Sequence, residues 1–456
     1  MSSDLLSAIF STEAMGRVFD DAARLRAMLR FEAALAQAEA EAGVIPAKAA
    51  RCITEACESL DIDGADLAEA ARYQTAPAIA LVKALTAHCP EPGRGWVHWG
   101  ATSQDVIDTG LVLQMRDGLA LIETDLGAIG DTLSALASAH RDTVMVGRTL
   151  LQPALPVTFG FKCAGWLEAV SKCRARLAQA ARRALALQFG GAVGTLAALG
   201  PAADEVREGL GRHLDLPVPL AAWHTDRGAL LSLCSEVAIL CGTAAKIAGD
   251  IALMMQPEIG EASEPAGPGR GGSSTMPHKR NPVAAPVIRA NALRASGLLS
   301  GLIAGMDHAH ERGIGGWHAE WASIPELFGL AAGALSHLRE TVSGLEVRPE
   351  RMRENLNAGG GAMMAEALMM ALAPQIGRGT AHSLVGDLVR QAQAAGRPLA
   401  ALARQDRTVT AHLDDAAIDR ALDPARYLGV ATSTVDRATA HWETIKQDLK
   451  TFTERD

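Results

Sequence analysis

Apolar residues recur every three or four positions along much of this chain. Leu111, Met115, Leu119, Ile122, Leu126, Ile129, Leu133 and Leu136 trace one such stripe, the spacing of a helix that buries one face. The pattern predicts five long helices, at roughly 109–140, 156–188, 227–255, 282–306 and 317–345. Pro156, at the start of the second, suits a first helical turn, where its missing N–H costs nothing. The third is apolar around most of its circumference over 230–255 and calls for burial on nearly every side. Helices of this length run about 40–48 Å at 1.5 Å per residue, so the bundle they form is expected to continue across subunit boundaries.

Shorter elements flank the long ones. A helix over about 20–42 meets a stop signal in Gly43 and Pro46. Beyond Arg348 the periodic stretches shorten again, broken at Gly359, Gly360, Gly361, Gly377 and Pro424. The expected fold class is all-α in three parts: an N-terminal helical domain over 1–108, a central long-helix bundle over 109–347 and a C-terminal helical domain over 348–456. Internal repeats and low-complexity segments are absent.

Composition agrees. Of 456 residues 48% are hydrophobic, 21% charged and only 4% aromatic, a globular balance that favours helices over sheets. The net charge of −9 argues against a general nucleic-acid binder, so a site for an anion must be a local cationic pocket. The seven cysteines are an odd number without a CxxC pair and are expected to be reduced. The first residues lack the regions of a signal peptide, and no run approaches 18 uninterrupted apolar residues. A cytoplasmic protein with no membrane partner is expected.

The chemistry concentrates in Gly-Gly-Ser-Ser-Thr-Met-Pro-His-Lys-Arg-Asn-Pro over 271–282. Ser273, Ser274, Lys279, Arg280 and Asn281 crowd a loop opened by glycines and closed by a proline. A hydroxyl among cationic donors can be stabilised as an alkoxide and so exchange a proton. This points to carbanion or enolate chemistry on an anionic substrate. The stretch over 267–272 matches GxGxxG, but the residues before it are acidic and give no strand for a dinucleotide fold. A phosphate-binding P-loop is excluded too, since Gly272, not lysine, precedes Ser273. A mobile surface linker would not need the clustered serine, lysine and asparagine.

Other segments add donors. Just before the first long helix stands His98-Trp-Gly-Ala-Thr-Ser-Gln-Asp over 98–105. Its Thr102, Ser103 and Asp105 suit helix capping, and the Thr102 and Ser103 hydroxyls also suit a substrate carboxylate. Arg148, Thr149 and Gln152 sit in the break before the second helix, and a glycine loop spans 190–195. Thr225 and Arg227 precede the third helix; an arginine can grip a carboxylate with two hydrogen bonds. His308, His310 and His318 lack zinc-ligand spacing, and neither a metal nor any cofactor is expected.

Together these segments identify the chain as resembling the fumarase/aspartase superfamily over essentially its whole length. The loop at 272–281 looks like the superfamily's shared loop, and the segments at 98–105, 147–152, 190–195 and 223–227 follow in the right order and spacing. The stretches His310-Glu-Arg, Trp317-His-Ala-Glu-Trp and Leu422-Asp-Pro-Ala-Arg-Tyr-Leu-Gly are most similar to those of its lactone-forming cycloisomerases. The resemblance implies a homotetramer with a twenty-helix core and active sites each built from three subunits, acting on a small polycarboxylate. It implies that Ser273 transfers the proton, with Lys279 and Asn281 binding carboxylates and stabilising an enolate. It also places His98, Thr102, Ser103, Arg148, Thr149, Gln152, Thr225, Arg227, Ser274, Met276 and Arg312 at or near the substrate.

Two departures narrow the expected reaction. Many lyases of the superfamily carry a histidine after Gly-Arg-Thr, paired with a glutamate thirteen residues beyond the loop serine; here those positions are Leu150 and Pro286. That pair serves departing or entering amines and hydroxyls. Hydroxide is a strong base whose parent water has a pKa of about 15.7, whereas a carboxylate's parent acid is near about 4 and leaves unprotonated. Addition of the substrate's own carboxylate across a conjugated double bond therefore needs one proton donor at carbon and an anion-stabilising pocket. A lyase that releases another stable anion, as from nitrosuccinate, satisfies the same two absences. Adenylosuccinate or argininosuccinate cleavage fits less well, because both need the missing acid. A non-catalytic scaffold would not need Ser273, Lys279 and Asn281 together.

Overall fold

The computed structural model describes residues 4–267, 269–272, 275–276 and 278–453. Five long helices stand where the periodicity puts them, at Ser103–Ala139, Phe159–Ala184, Gly228–Met254, Ala284–Ala304 and Gly316–Ser343. The fold is all-α, with two small antiparallel ribbons that pair Val144–Thr149 with Gln152–Thr158 and Ala262–Ser263 with Glu346–Val347.

The first ribbon corrects the expected start of the second helix. Pro156 lies in a strand, opposite Val146. In a two-stranded ribbon every strand is an edge, so a proline is tolerated. The helix starts three residues later, where the Thr158 hydroxyl accepts the Phe161 N–H at 3.0 Å. The earlier stop signal holds as read: the Asp21–Glu41 helix is capped by Asp20 and followed by Gly43 at φ 72°.

The chain divides into two compact units, with every boundary but the chain ends falling inside a long helix. One comprises residues 1–126, 173–245 and 287–337, the other 127–172, 246–286 and 338–456. The first unit's core gathers Met28, Phe31, Leu35, Leu81, Val106, Phe189 and Leu210. The second holds a cluster of Leu368, Leu372, Val385, Leu399 and Ile418, and the indole of its buried Trp442 donates to Asp131 at 2.9 Å.

The Gly228–Met254 helix is long and apolar enough to cross a membrane by length and composition alone. Leu230, Leu233, Val237, Cys241, Ala244, Ala248 and Ile251 along it are buried, the stripe of a core helix. Burial on nearly every side is not met within one chain, however, because Ile239 and Leu253 are exposed, as are Leu293 and Ile303 on the next helix. All seven cysteines are free thiols. Burial pushes Cys234 and Cys241 up to about 12, which leaves them unreactive.

Candidate active site

In the first unit the segments around Thr102, the glycine loop and His224 meet on one carboxylate. Asp105, 0% exposed, accepts the N–H groups of Gly190 at 3.0 Å, Gly191 at 2.9 Å and Thr102 at 3.0 Å. His224 Nε2 lies 2.8 Å from the same carboxylate. The glycines are needed for this approach: a Cβ on Gly190 would meet that of Ala222 at 2.5 Å. Asp105 thus reaches back to the Thr102 N–H, as the third residue of a helix does in a capping box. The Thr102 hydroxyl is left for Arg312, whose Nη1 donates to it at 3.1 Å while Nη2 donates to Ala192 O at 3.0 Å. Thr102, Ser103 and Thr225 are all half-buried.

Arg227 does something other than the carboxylate anchoring expected from sequence. It is 1% exposed and lies between two acids. Its Nη1 and Nη2 donate to Asp108 at 2.8 and 3.2 Å, its Nε donates to Glu320 at 3.0 Å, and Nη2 also reaches Glu320. Its guanidinium carbon sits 4.7 Å from the centre of the Trp223 ring, and the Trp317 indole donates to Asp108 at 2.9 Å. With every guanidinium nitrogen engaged inside the core, Arg227 ties the first, third and fifth long helices together. Burial raises the Glu320 carboxyl above the usual carboxylate range despite its hydrogen bond to Arg227.

The second unit carries the serine loop. Ser273 and Ser274 lie outside the described residues, but the neck of their loop is defined. Gly272 bridges Arg280, and the Asn281 N–H donates to Gly271 O at 2.8 Å. Gly271 sits at φ 70°, and a Cβ there would come within 2.5 Å of Asn281 O, so only glycine closes this neck. Arg280 clamps it with two 2.9 Å bonds to Glu346 and a bond to Glu264 O. The Glu264 carboxylate, 2% exposed, accepts the N–H groups of Val283 at 2.7 Å, Ala284 at 3.0 Å and Ala285 at 3.0 Å. Pro286 follows within that first helical turn, where its lack of an N–H is harmless. Of the loop's two adjacent cations Arg280 is therefore spent on structure, while Lys279 is exposed and forms no ion pair among the described residues. Met276 is exposed and Asn281 half-buried. Glu264→Ala should cost about 2 kcal/mol of stability and speed amide exchange at Val283, Ala284 and Ala285, as read by hydrogen-exchange mass spectrometry.

The Val144–Thr149 and Gln152–Thr158 hairpin carries the other predicted donors. Arg148 pairs bidentately with Glu261, at 2.7 and 2.9 Å, and Asn355 Nδ2 donates to that carboxylate at 2.8 Å. Thr149 and Gln152 face each other in register across the two-residue turn and are exposed. The turn residues Leu150 and Leu151 both adopt positive φ, 50° and 64°, and are 96% and 70% exposed.

The predicted histidines do not gather. His308 is 1% exposed at its side chain and 4.0 Å from Glu320, whereas His310 and His318 are exposed. Among the described residues no group of three or more His, Cys, Asp or Glu side chains is placed to hold a metal. Sequence reasoning found donors by residue type and missed their partners. Asp108, Glu261, Glu264 and Glu346 carry no local signature, whereas Glu320 falls in the Trp317-His-Ala-Glu-Trp stretch that carries the resemblance; a further hint was the run of acids over 258–264, which ends in two buried carboxylates.

Residues 7–297 match the family model described as lyase, and residues 361–438 that of the adenylosuccinate lyase C-terminus. The chain is 48% identical over 442 residues to a 3-carboxy-cis,cis-muconate cycloisomerase of Pseudomonas aeruginosa, covering 96% of each protein. It is 39% identical over 449 residues to a nitrosuccinate lyase of Streptomyces davaonensis, covering 96% of this chain and 94% of that one. The solved 3-carboxy-cis,cis-muconate lactonizing enzyme from Pseudomonas putida superposes with a TM-score of 0.91 at 45% identity, covering 97% of this chain and 100% of that one.

Proposed function

Since the chain belongs to the lyase family whose model spans its residues 7–297, we propose that it is a cytoplasmic 3-carboxy-cis,cis-muconate cycloisomerase of aromatic-compound breakdown. The observation that carries this is the 48% identity over 96% of the chain to an enzyme of that name, joined to Leu150 and Pro286 in place of the amine-handling pair. In the reaction a carboxylate oxygen of the substrate adds to the conjugated double bond and forms the lactone C–O bond. The displaced π electrons pass to the neighbouring carboxylate as an enolate, which then takes a proton at carbon. Ser273 donates that proton, and Lys279 and Asn281 hold the enolate and its carboxylates. Donors fixed before the charge develops lower the barrier most, because they need no reorganisation when it appears. Thr102, Ser103 and Arg312, with Thr149 and Gln152 at the hairpin tip, receive the remaining carboxylates.

The working form is a homotetramer whose active sites each draw segments from three subunits. Exposure of Ile239, Leu253, Leu293 and Ile303 on the long helices supports this, since apolar residues that together form an exposed patch mark surfaces that pair. The likeness to a nitrosuccinate lyase favours, as the second reading, release of nitrite, another anion that leaves unprotonated. The test follows the loss of 3-carboxymuconate absorbance with purified protein, with nitrosuccinate and adenylosuccinate run alongside. Turnover of the first alone is expected. Turnover confined to either of the others overturns the assignment.

A further inference from the structure

The chain lacks the histidine–glutamate pair at 150 and 286, yet its first unit holds another one. His98 Nδ1 lies 2.6 Å from Glu32 Oε1, with the His98 side chain 17% and that of Glu32 1% exposed. His98 adopts φ 60°, a conformation that costs a non-glycine residue about 1 kcal/mol or more and persists only where the surroundings impose it. The anchor is Glu32, on the Asp21–Glu41 helix and 66 residues away in sequence.

A second acid defines the charge. Glu39 lies seven residues further along the same helix face, 1% exposed, with neither carboxylate oxygen partnered among the described residues. Burial, and then the nearby Glu32, push its carboxyl up to about 9. Glu39 is thereby kept neutral at ordinary pH, which leaves Glu32 as the acid on this face that has a hydrogen-bond partner. For His98, burial alone would lower the ring's pKa, but the charge and hydrogen bond of Glu32, with Asp105 behind them, outweigh it and raise the ring above its ordinary value. Among the described residues Glu32 and Asp105 are the charges that act on the ring. Cys57, the other titratable group beside Glu32, is held as a neutral thiol by burial and by that carboxylate. With Nδ1 on Glu32, the His98 Nε2 has no partner among the described residues. Four residues on, Thr102 carries Arg312 on its hydroxyl.

We propose that Glu32 is a positioning residue which, by gripping Nδ1 of His98, presents the His98 Nε2–H as a donor to a carboxylate of the substrate. The substrate half of this rests on the polycarboxylate reading above; the hold of Glu32 on His98 does not. The site then has a histidine–carboxylate pair after all, used to bind an anion rather than to protonate a leaving group.

Glu32→Gln tests this, since glutamine keeps the shape and removes the charge. Ring-proton NMR should show His98 titrating at least about one pH unit lower in the variant, because a paired carboxylate shifts a partner by about that much. KM for 3-carboxymuconate should rise roughly tenfold or more above the new titration, the usual worth of a charged hydrogen bond, while kcat changes little. Glu32→Asp should restore part of the shift, and serves in its place if the glutamine variant fails to fold. In the His98→Gln background, Glu32→Gln should add no further loss, because the two act as one unit. An unshifted His98 titration, or losses that simply add, overturns the proposal. A protein inactive on 3-carboxymuconate that still shows the shift disproves the assigned reaction and upholds the grip of Glu32 on His98.

Discussion

Ser273→Ala is expected to lower kcat by about two to four orders of magnitude, the range that one positioned general acid contributes, with KM nearly unchanged. The reason lies in what the rest of the chain lacks. Leu150 and Pro286 stand where related lyases place a second acid and base, so that pair offers no substitute for a lost hydroxyl. Arg280 is clamped on Glu346 and Glu264. The clamp also explains why the substitution should leave the fold intact, since the neck closes through Gly271, Gly272, Arg280 and Asn281 without either serine. Steady-state kinetics beside thermal melting would show the split. Turnover within a few-fold of the parent, with deuterium still entering carbon from solvent, places the proton donor elsewhere.

Local rules carried the fold further than the site. The stripe from Leu111 to Leu136, the cap at Asp20 and the stop at Gly43 are written within a few residues of where they act. Pro156 misled because one proline satisfies two rules, the first turn of a helix and an edge strand, and only pairing with Val146 decides between them. The site's donors were legible as types because chemistry restricts them to serine, lysine, arginine and asparagine. Their partners were not. Arg148 reaches Glu261 across 113 positions, Arg227 reaches Asp108 across 119 and Glu320 across 93. At such separations one acid reads like any other, and a guanidinium that anchors substrate looks the same as one buried between two carboxylates.

Leu150 shows the opposite case, a residue whose oddness appears only in the structure. Histidine tolerates positive φ better than leucine does, so the residue that related lyases place here is also the easier one for the turn. This chain puts two leucines there, both exposed. The conformational cost of about 1–2 kcal/mol each is not offset by burial of either side chain. An apolar tip of this kind supports a turn that packs against another subunit in the proposed tetramer.

Arg227→Met should be the most destabilising single change, costing about 3–5 kcal/mol, the usual penalty for leaving a buried charge without its partner. Arg227, Asp108 and Glu320 are 1%, 1% and 3% exposed, so the two abandoned carboxylates cannot turn to water. Burial then acts on them with no guanidinium to offset it. Glu320 already sits above the usual range because of burial, and losing the guanidinium raises it further. A carboxyl whose pKa is raised on folding destabilises the protein as pH climbs from its unfolded value, near about 4.3, toward its folded one. The deficit against the parent protein is therefore largest at neutral pH and shrinks as the pH falls toward about 5. Urea unfolding at several pH values checks this, and Asp108→Asn with Glu320→Gln added to Arg227→Met should recover much of the loss, because neutral amides remove the charge that had no partner. Folded variant should keep a KM close to the parent's. A deficit below about 1 kcal/mol that does not vary with pH, together with a large rise in KM, would return Arg227 to the substrate.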